Sequence, residues 1–431
     1  MKLFILILFL ALIKTVSATD FVKEINELKS KSFETAPELK IARSLKSQRS
    51  AENYQAFARH TPQAALAFKK DRDILNNTNP LLKTLGFIPP DHSWSINYSW
   101  SLFNYGLIQN TLKTQNENSK AELELSNKEK EYAITFSTNL LNFLLAKYKT
   151  SAVLNSLKKS DTAKKEAILG FDLGQKTKMD VLRAEANFVS LSSKKTQFQN
   201  EEEEAKSSFL EVTGLETQVL TFLNPLSEEE IIDLINQLTP SAPLEKHKGF
   251  NHDSPLLQMI NAEEKINTRS LNLITKDEWP EIKLQGSYSN AGNSFNESFS
   301  RPTRAHTISV VLTIPVWGGG SLISSNFAQY FSKKQLEYSL ERQKLQLKNK
   351  FENTFQKIKT LETLINSLTL NTSQFEELFK LTSKSYQLGR SSLFELLDVQ
   401  DNLLESKINL AQNKIQLYSL TQNYLWQTGS L

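Results

Sequence analysis

From Ser93 to Phe103 the chain alternates without a break. Ser93, Ser95, Asn97, Ser99 and Ser101 take the odd positions, and Trp94, Ile96, Tyr98, Trp100 and Leu102 the even ones. A period of two over about ten residues predicts a strand with one wet and one apolar face. The pattern recurs at Ile308, Val310, Leu312 and Ile314, which alternate with Thr307, Ser309, Val311 and Thr313. Ile282, Leu284 and Tyr288 alternate with Lys283, Gln285 and Ser289, and a weaker version places Ala64, Leu66 and Phe68 on one face. Strands are therefore expected at about 62–69, 92–103, 281–289 and 306–316. Such alternation fits a transmembrane β-barrel, apolar outside and polar inside. It fits equally a sheet packed on a layer of helices.

The remainder of the chain carries helical periods. Leu396, Leu403, Leu410, Leu417 and Tyr424 recur every seventh residue, beside Leu397, Leu404, Ala411, Tyr418 and Leu425. Ala184, Leu191, Phe198, Ala205 and Val212 do the same earlier. A sustained seven-residue recurrence means coiled-coil packing, and two adjacent series make an apolar face wide enough for more than one neighbour. Neither glycine nor proline falls inside 107–169, 175–213, 321–388 or 390–428. The pattern predicts long helices over 107–170, 175–213, 320–387 and 390–428, the two longer ones reaching about 95 Å at 1.5 Å per residue.

These elements come twice. "LGQKTKMDVLRAEANFVSL" through Gly214 lies without a gap over "LGRSSLFELLDVQDNLLES" through Gly429, both opening on Leu-Gly and closing on Thr-Gly. "SWSLFNYG" ending at Gly106 lies over "LTIPVWGG" ending at Gly319, with Leu102 where the second copy has Pro315. Each copy reads short helix, strand, strand, very long helix, long helix. The expected division is a leader over 1–18, a first repeat over 19–214, a joining segment over 215–253 with Pro225, Pro240 and Pro243, and a second repeat over 254–431.

Composition narrows the chemistry. The leader has Lys2, an apolar run from Leu3 to Ile13 and a Val16-Ser17-Ala18 cleavage pattern, which predicts export with cleavage after Ala18. A net charge of +4 in 431 residues does not call for nucleic acid. Without cysteine there is no disulfide, thiolate metal site or thiol nucleophile. The histidines are scattered, His247 and His252 lie in the joining segment, and no ligand set accompanies them. "PVWGGG" lacks the Lys-Ser/Thr of a phosphate loop, and its glycines suit a sharp turn from strand to helix. Glu201–Glu204 reads as a solvated helix face. Neither an enzyme nor a cofactor is expected.

In hydrocarbon an unpaired strand edge costs several kcal/mol per backbone group, and four strands cannot close a barrel. A membrane reading therefore requires oligomerisation, and a trimer lending four strands each leaves room for a lumen. At this point the chain resembles the TolC-like outer-membrane efflux proteins. The motifs are "APELK" at Ala36–Lys40, "DSPLL" at Asp253–Leu257, "TIPVWGGG" at Thr313–Gly320, and the two Leu-Gly turns with acid-bearing helices after them. Their duplicated order carries the resemblance, from about Phe33 to Gly429.

The resemblance implies a homotrimer in the Gram-negative outer membrane, with a twelve-stranded α/β-barrel and a twelve-helix periplasmic tunnel. It implies tips around Leu173, Gly174, Leu388 and Gly389 that meet a periplasmic adaptor, and through it an inner-membrane transporter. It implies a periplasmic gate at Glu395 and Asp398 with Tyr386, and Arg390 beside Ser391, which stands where the family has arginine. From the residues alone, Glu395 and Asp398 fit equally a helix N-terminus that favours carboxylates. Trp94, Ile96, Tyr98, Trp100, Leu102, Ile308, Val310, Leu312 and Ile314 are the expected lipid-facing residues, with Trp94 and Trp100 as interfacial anchors. Small-molecule efflux and protein secretion share this duct. The competing class is a secreted coiled-coil structural protein without a pore, which leaves the duplicated strands unexplained.

Overall fold

The computed structural model describes residues 18–70, 91–223, 226–239, 254–292, 294–300 and 304–429. The leader's charged and apolar parts, the connection over 71–90, Asp253, the three joining prolines, His247 and His252 lie outside the described residues. In chain order the elements are α1 (Ala18–Thr35), α2 (Pro37–Ala58), β1 (Gln63–Lys70), β2 (His92–Asn104), α3 (Tyr105–Asp172) and α4 (Lys178–Thr213). There follow a 3-10 turn (Thr217–Leu223), α5 (Glu228–Leu238), α6 (Pro255–Asn272) and a short 3-10 turn (Lys276–Glu278). The chain ends with β3 (Glu281–Gly292), α7 (Phe295–Ser300), β4 (Ala305–Thr313), α8 (Ser321–Gln387) and α9 (Leu393–Thr428). The duplicated order of strands and long helices is the expected one. Among the described residues three helices are additional: α1, α5 in the joining segment, and α7 between β3 and β4.

The contacts divide the chain into two units. One comprises Ser44–Leu123 and Gln258–Lys344, and holds the sheet. Its four strands pair antiparallel in chain order, β1-β2-β3-β4, so β1 and β4 are the edges. The two copies join the sheet to their long helices differently. In the first, β2 runs straight into α3, and the Asn104 side chain accepts the Leu107 N–H at 2.8 Å, as a helix cap does. In the second, β4 stops at Thr313, and Pro315 and the glycines follow; Gly319 and Gly320 have φ of 59° and 90°, which only glycine adopts without strain. The substitution of Leu102 for Pro315 between the copies marks this difference.

The other unit comprises the chain up to Arg43, Glu124–Leu257 and Leu345–Leu431. Its main core joins Phe136, Leu140 and Leu144 of α3, Leu191 and Phe209 of α4, and Leu404, Ile408, Ala411 and Ile415 of α9. Two of the additional helices exist to complete it. Phe21, Ile25 and Leu28 of α1 and Ile231, Leu234 and Ile235 of α5 are buried in the same cluster. The α5 helix begins in a capping box between Ser227 and Glu230, so "SEEE" is its start signal. Gly214 ends α4 with φ of 63°, and a Cβ there would lie 2.8 Å from the Thr35 carbonyl oxygen. The closing Thr-Gly of the first copy is thus fixed by close backbone approach as well as by helix termination.

Candidate functional site: a two-faced sheet and paired helical tips

Pairing brings the alternating positions of all four strands into register. Ala64 faces Tyr98, Leu66 faces Ile96 and Phe68 faces Trp94. Ile96 faces Tyr288, Trp100 faces Leu284, and Leu284 faces Val310. One face of the sheet is therefore a continuous apolar surface. The other carries Gln63, Ser95, Asn97, Ser99, Gln285, Ser287, Thr307 and Ser309. Ile96, Trp100, Leu102, Ile308, Val310 and Leu312 are all exposed on the apolar side, and β1 and β4 are exposed along their entire length.

Three details refine the face. The register shifts between Ser101 and Phe103, so Leu102 is the extra residue of a bulge, and Phe103 takes the place opposite Ile282, which in turn faces Leu312. Ile314 lies one residue beyond β4 and remains 60% exposed. Tyr98 crosses over Gly286, where a Cβ would clash with its ring, and pairs its hydroxyl with His306 Nε2 at 2.9 Å. Gly286 is thus the gap that lets an aromatic cross a strand. The two tryptophans of β2 behave alike: Trp94 Nε1–H donates to the Ser298 carbonyl at 2.9 Å and Trp100 Nε1–H to the His60 carbonyl at 2.6 Å. Each satisfies its polar N–H on a backbone carbonyl and lays its ring on the apolar face, which is how tryptophan is used at membrane interfaces.

The tips are built from two hairpins of the same design. Gly174 and Gly389 have φ of 72° and 70°, and their N–H groups donate to the Phe171 and Tyr386 carbonyls, each at 2.9 Å. Leu173 and Leu388 project at 63% and 61% exposure. The helices after the turns open in matching capping boxes, Thr177 with Asp180 and Ser392 with Glu395. Beneath them Ala167, Val181, Ala184, Leu393 and Leu397 form a small core, with Tyr386 packed against it. Lys176 Nζ sits 5.0 Å from the Tyr386 ring, and the Arg183 guanidinium 5.1 Å from the Phe394 ring. Both contacts join the first hairpin to the second.

The four gate candidates fall into different settings. Glu395 accepts the Ser392 N–H at 3.1 Å and a short hydrogen bond from the Ser391 hydroxyl. The Ser391 hydroxyl, and after it the Ser392 N–H, hold its carboxyl below the usual glutamate range. Ser391, at the family's arginine position, thus serves the cap. Asp398 is exposed and accepts from Asn402 Nδ2 at 3.2 Å. Tyr386 is half-buried under Lys176, and Arg390 is exposed. One polar residue escaped sequence reasoning. Asp401 of α9 accepts from Asn187 Nδ2 of α4 at 3.3 Å, and Asn187 accepts the Ser160 hydroxyl of α3 at 2.6 Å. The signal was the Asn187 alignment with Asn402, one place away from its actual partner. Among the described residues there is no metal-binding cluster of His, Asp and Glu, and no helix is long and apolar enough to cross a membrane.

The described residues thus form a four-stranded sheet with one apolar and one polar face, in a chain whose long helices come in two duplicated pairs. Residues 252–423 match the family model of the outer membrane efflux proteins. No curated protein matches the chain. Among solved structures, the outer membrane protein VceC of Vibrio cholerae is 13% identical with a TM-score of 0.72, over 94% of this chain and 96% of that one. The CmeC outer membrane channel of Campylobacter jejuni is 12% identical with a TM-score of 0.75, over 94% and 85%. The open state of the MtrE outer membrane channel of Neisseria gonorrhoeae is 14% identical with a TM-score of 0.73, over 95% and 89%. At these identities the likeness is one of fold. The family match lies in the second repeat, and the likeness to solved structures gives the chain as a whole the fold of these outer membrane channels.

Proposed function

We propose that the chain is one protomer of a homotrimeric exit duct, secreted through a leader cleaved near Ala18 and seated in the outer membrane with its helices in the periplasm. The observation that carries this is the sheet: one apolar face, one face of Ser, Thr, Asn and Gln, and, among the described strands, β1 and β4 at its two edges. Only closure with further copies satisfies those edges in lipid. The small polar face suits a lumen that passes cargo without holding it. Leu173, Gly174, Leu388 and Gly389 then present an adaptor that links the duct to an inner-membrane transporter, for small molecules or secreted proteins.

Asp398 is the better candidate for a cation-selecting ring at the tips, because Glu395 is engaged by its own cap. Reconstitution in planar bilayers tests both levels. The trimer should conduct and prefer cations, and Asp398→Asn should lower that preference while Ser391→Ala leaves it near wild type. A conducting monomer in mild detergent would sink the duct reading. Selectivity unchanged by Asp398→Asn would sink the ring alone.

A further inference from the structure

The connection between β3 and β4 does not read as a plain loop. Phe295–Ser300 forms α7, and this helix lies on the sheet's apolar face, over β2 and β3. Phe299 stacks on Trp94 with ring centres 5.6 Å apart and planes 14° from parallel. Phe295 lies 6.2 Å from Phe68 of β1, and 5.2 Å from Phe299. Trp94 Nε1–H ties the helix down through the Ser298 carbonyl, and Ser298 is 2% exposed. The seat is built for it: at Gly292 a Cβ would stand 2.6 Å from the Ser298 nitrogen and 2.7 Å from the Glu297 carbonyl carbon, so any larger residue would lift the helix.

Although seated, α7 keeps its own aromatics outward. Phe295 is 55% exposed, Phe299 49% and Phe68 58%. They continue the apolar surface of Trp94, Ile96 and Tyr288 past the end of the strands that the connections occupy. A short helix with apolar rings on one side and Asn296 and Ser300 exposed is the form that lies in a membrane interface. Aromatic rings are also what flank the apolar band of a membrane barrel.

We infer that α7 is an interfacial foot that inserts Phe295 and Phe299 into the headgroup–acyl boundary of the outer leaflet, on the outside of the barrel. This rests on the membrane reading of the sheet. It assigns the β3–β4 connection to lipid, leaving the polar face beneath it uncovered by this helix. The occupant is lipid because the exposed rings are continuous with the lipid-facing surface and lie on the same side of the sheet.

The chain's lack of cysteine makes the test direct. Single cysteines at Phe299→Cys, with Phe295→Cys as the second variant, carry a nitroxide in trimers reconstituted into vesicles of phosphatidylethanolamine and lipid A. Val310→Cys and Thr307→Cys on the two sheet faces serve as references. Collision with oxygen reports lipid, and collision with a nickel chelate reports water. The expected oxygen-to-nickel ratio at 299 is within about threefold of that at 310 and about tenfold above that at 307. Adding Gly292→Leu should drop the ratio at 299 to the water value and leave that at 310 unchanged. Nickel access at 299 in the parent, with 310 reading lipid, overturns the foot and spares the barrel. Protection from both reagents means a protein neighbour covers the helix, and also overturns it. If 310 itself reads water, the barrel reading falls and the foot with it.

Discussion

Asp401 sits in an environment that opposes its charge. One carboxylate oxygen receives Asn187, while the other is buried with no hydrogen-bond partner. Burial pushes its carboxyl above the usual aspartate range, against the pull of Lys194. A folded state that holds this proton to higher pH than the unfolded chain loses stability as pH rises through that interval. Asp401→Asn should therefore raise the unfolding temperature at neutral pH, and the gain should shrink toward zero as pH falls below the ordinary carboxylate value. Parallel thermal melts of parent and variant across pH 3–8 check this. A gain that stays constant with pH would show the charge to be irrelevant. Glu395 has the opposite sign: its lowered value stabilises the cap above the usual glutamate range, and that contribution is lost in acid.

At the scale of elements, the two hairpins are one design used twice. The Leu-Gly turns, the capping boxes and the projecting leucines correspond position by position. What joins the hairpins is specific to this chain. Lys176 lies over Tyr386 and Arg183 over Phe394, so two cations of the first hairpin sit on two rings of the second. Each such contact contributes about 0.5–1 kcal/mol at exposed sites. Lys176→Gln with Arg183→Gln should loosen the tips by about 1–2 kcal/mol. Hydrogen exchange at the amides of 174–184 and 387–397 should quicken accordingly, with exchange in the Phe136–Leu144 core unchanged. No difference at the tips would show that the small core of Val181, Leu393 and Leu397 holds them alone.

At the scale of the whole molecule, the proposed trimer has a second surface to cover besides the sheet edges. In the unit that holds the sheet, α8 exposes Ile323, Phe327, Phe331 and Tyr338, each 60% exposed or more. Their spacings of four, four and seven residues are those of a helix seam. Large apolar residues in a continuous exposed row mark an interaction surface, and a trimer would cover this one along with the edges of β1 and β4. Phe331→Asp with Tyr338→Asp should convert the proposed trimer to monomer in detergent, read by native mass spectrometry, because two charges per protomer would be desolvated at the seam. An intact trimer would place the seam elsewhere.

Much of the architecture was legible in the residues because its signals are local. Alternation marks strands, heptads mark the paired helices, and glycine marks the turns at Gly174 and Gly389 where positive φ is required. The duplication makes each weak signal confirm another, as when the faint strand at Ala64–Phe68 gains from its clearer counterpart at Ile282–Tyr288. The apolar face was legible for the same reason, since side-chain direction in a strand follows position number. Tertiary structure decided what position number does not carry. Register placed the bulge at Leu102 and set Phe103 opposite Ile282. Packing turned "SFNESFS" from a connection into a helix on the aromatic face, and drew α1 and α5 into the core. Long-range contacts paired Asn187 with Asp401 and Lys176 with Tyr386, and the local cap took Glu395. Periodicity specifies which face of an element is apolar, but its partners can lie 281 residues away, as Thr138 and Ser419 do, and only folding brings the two together.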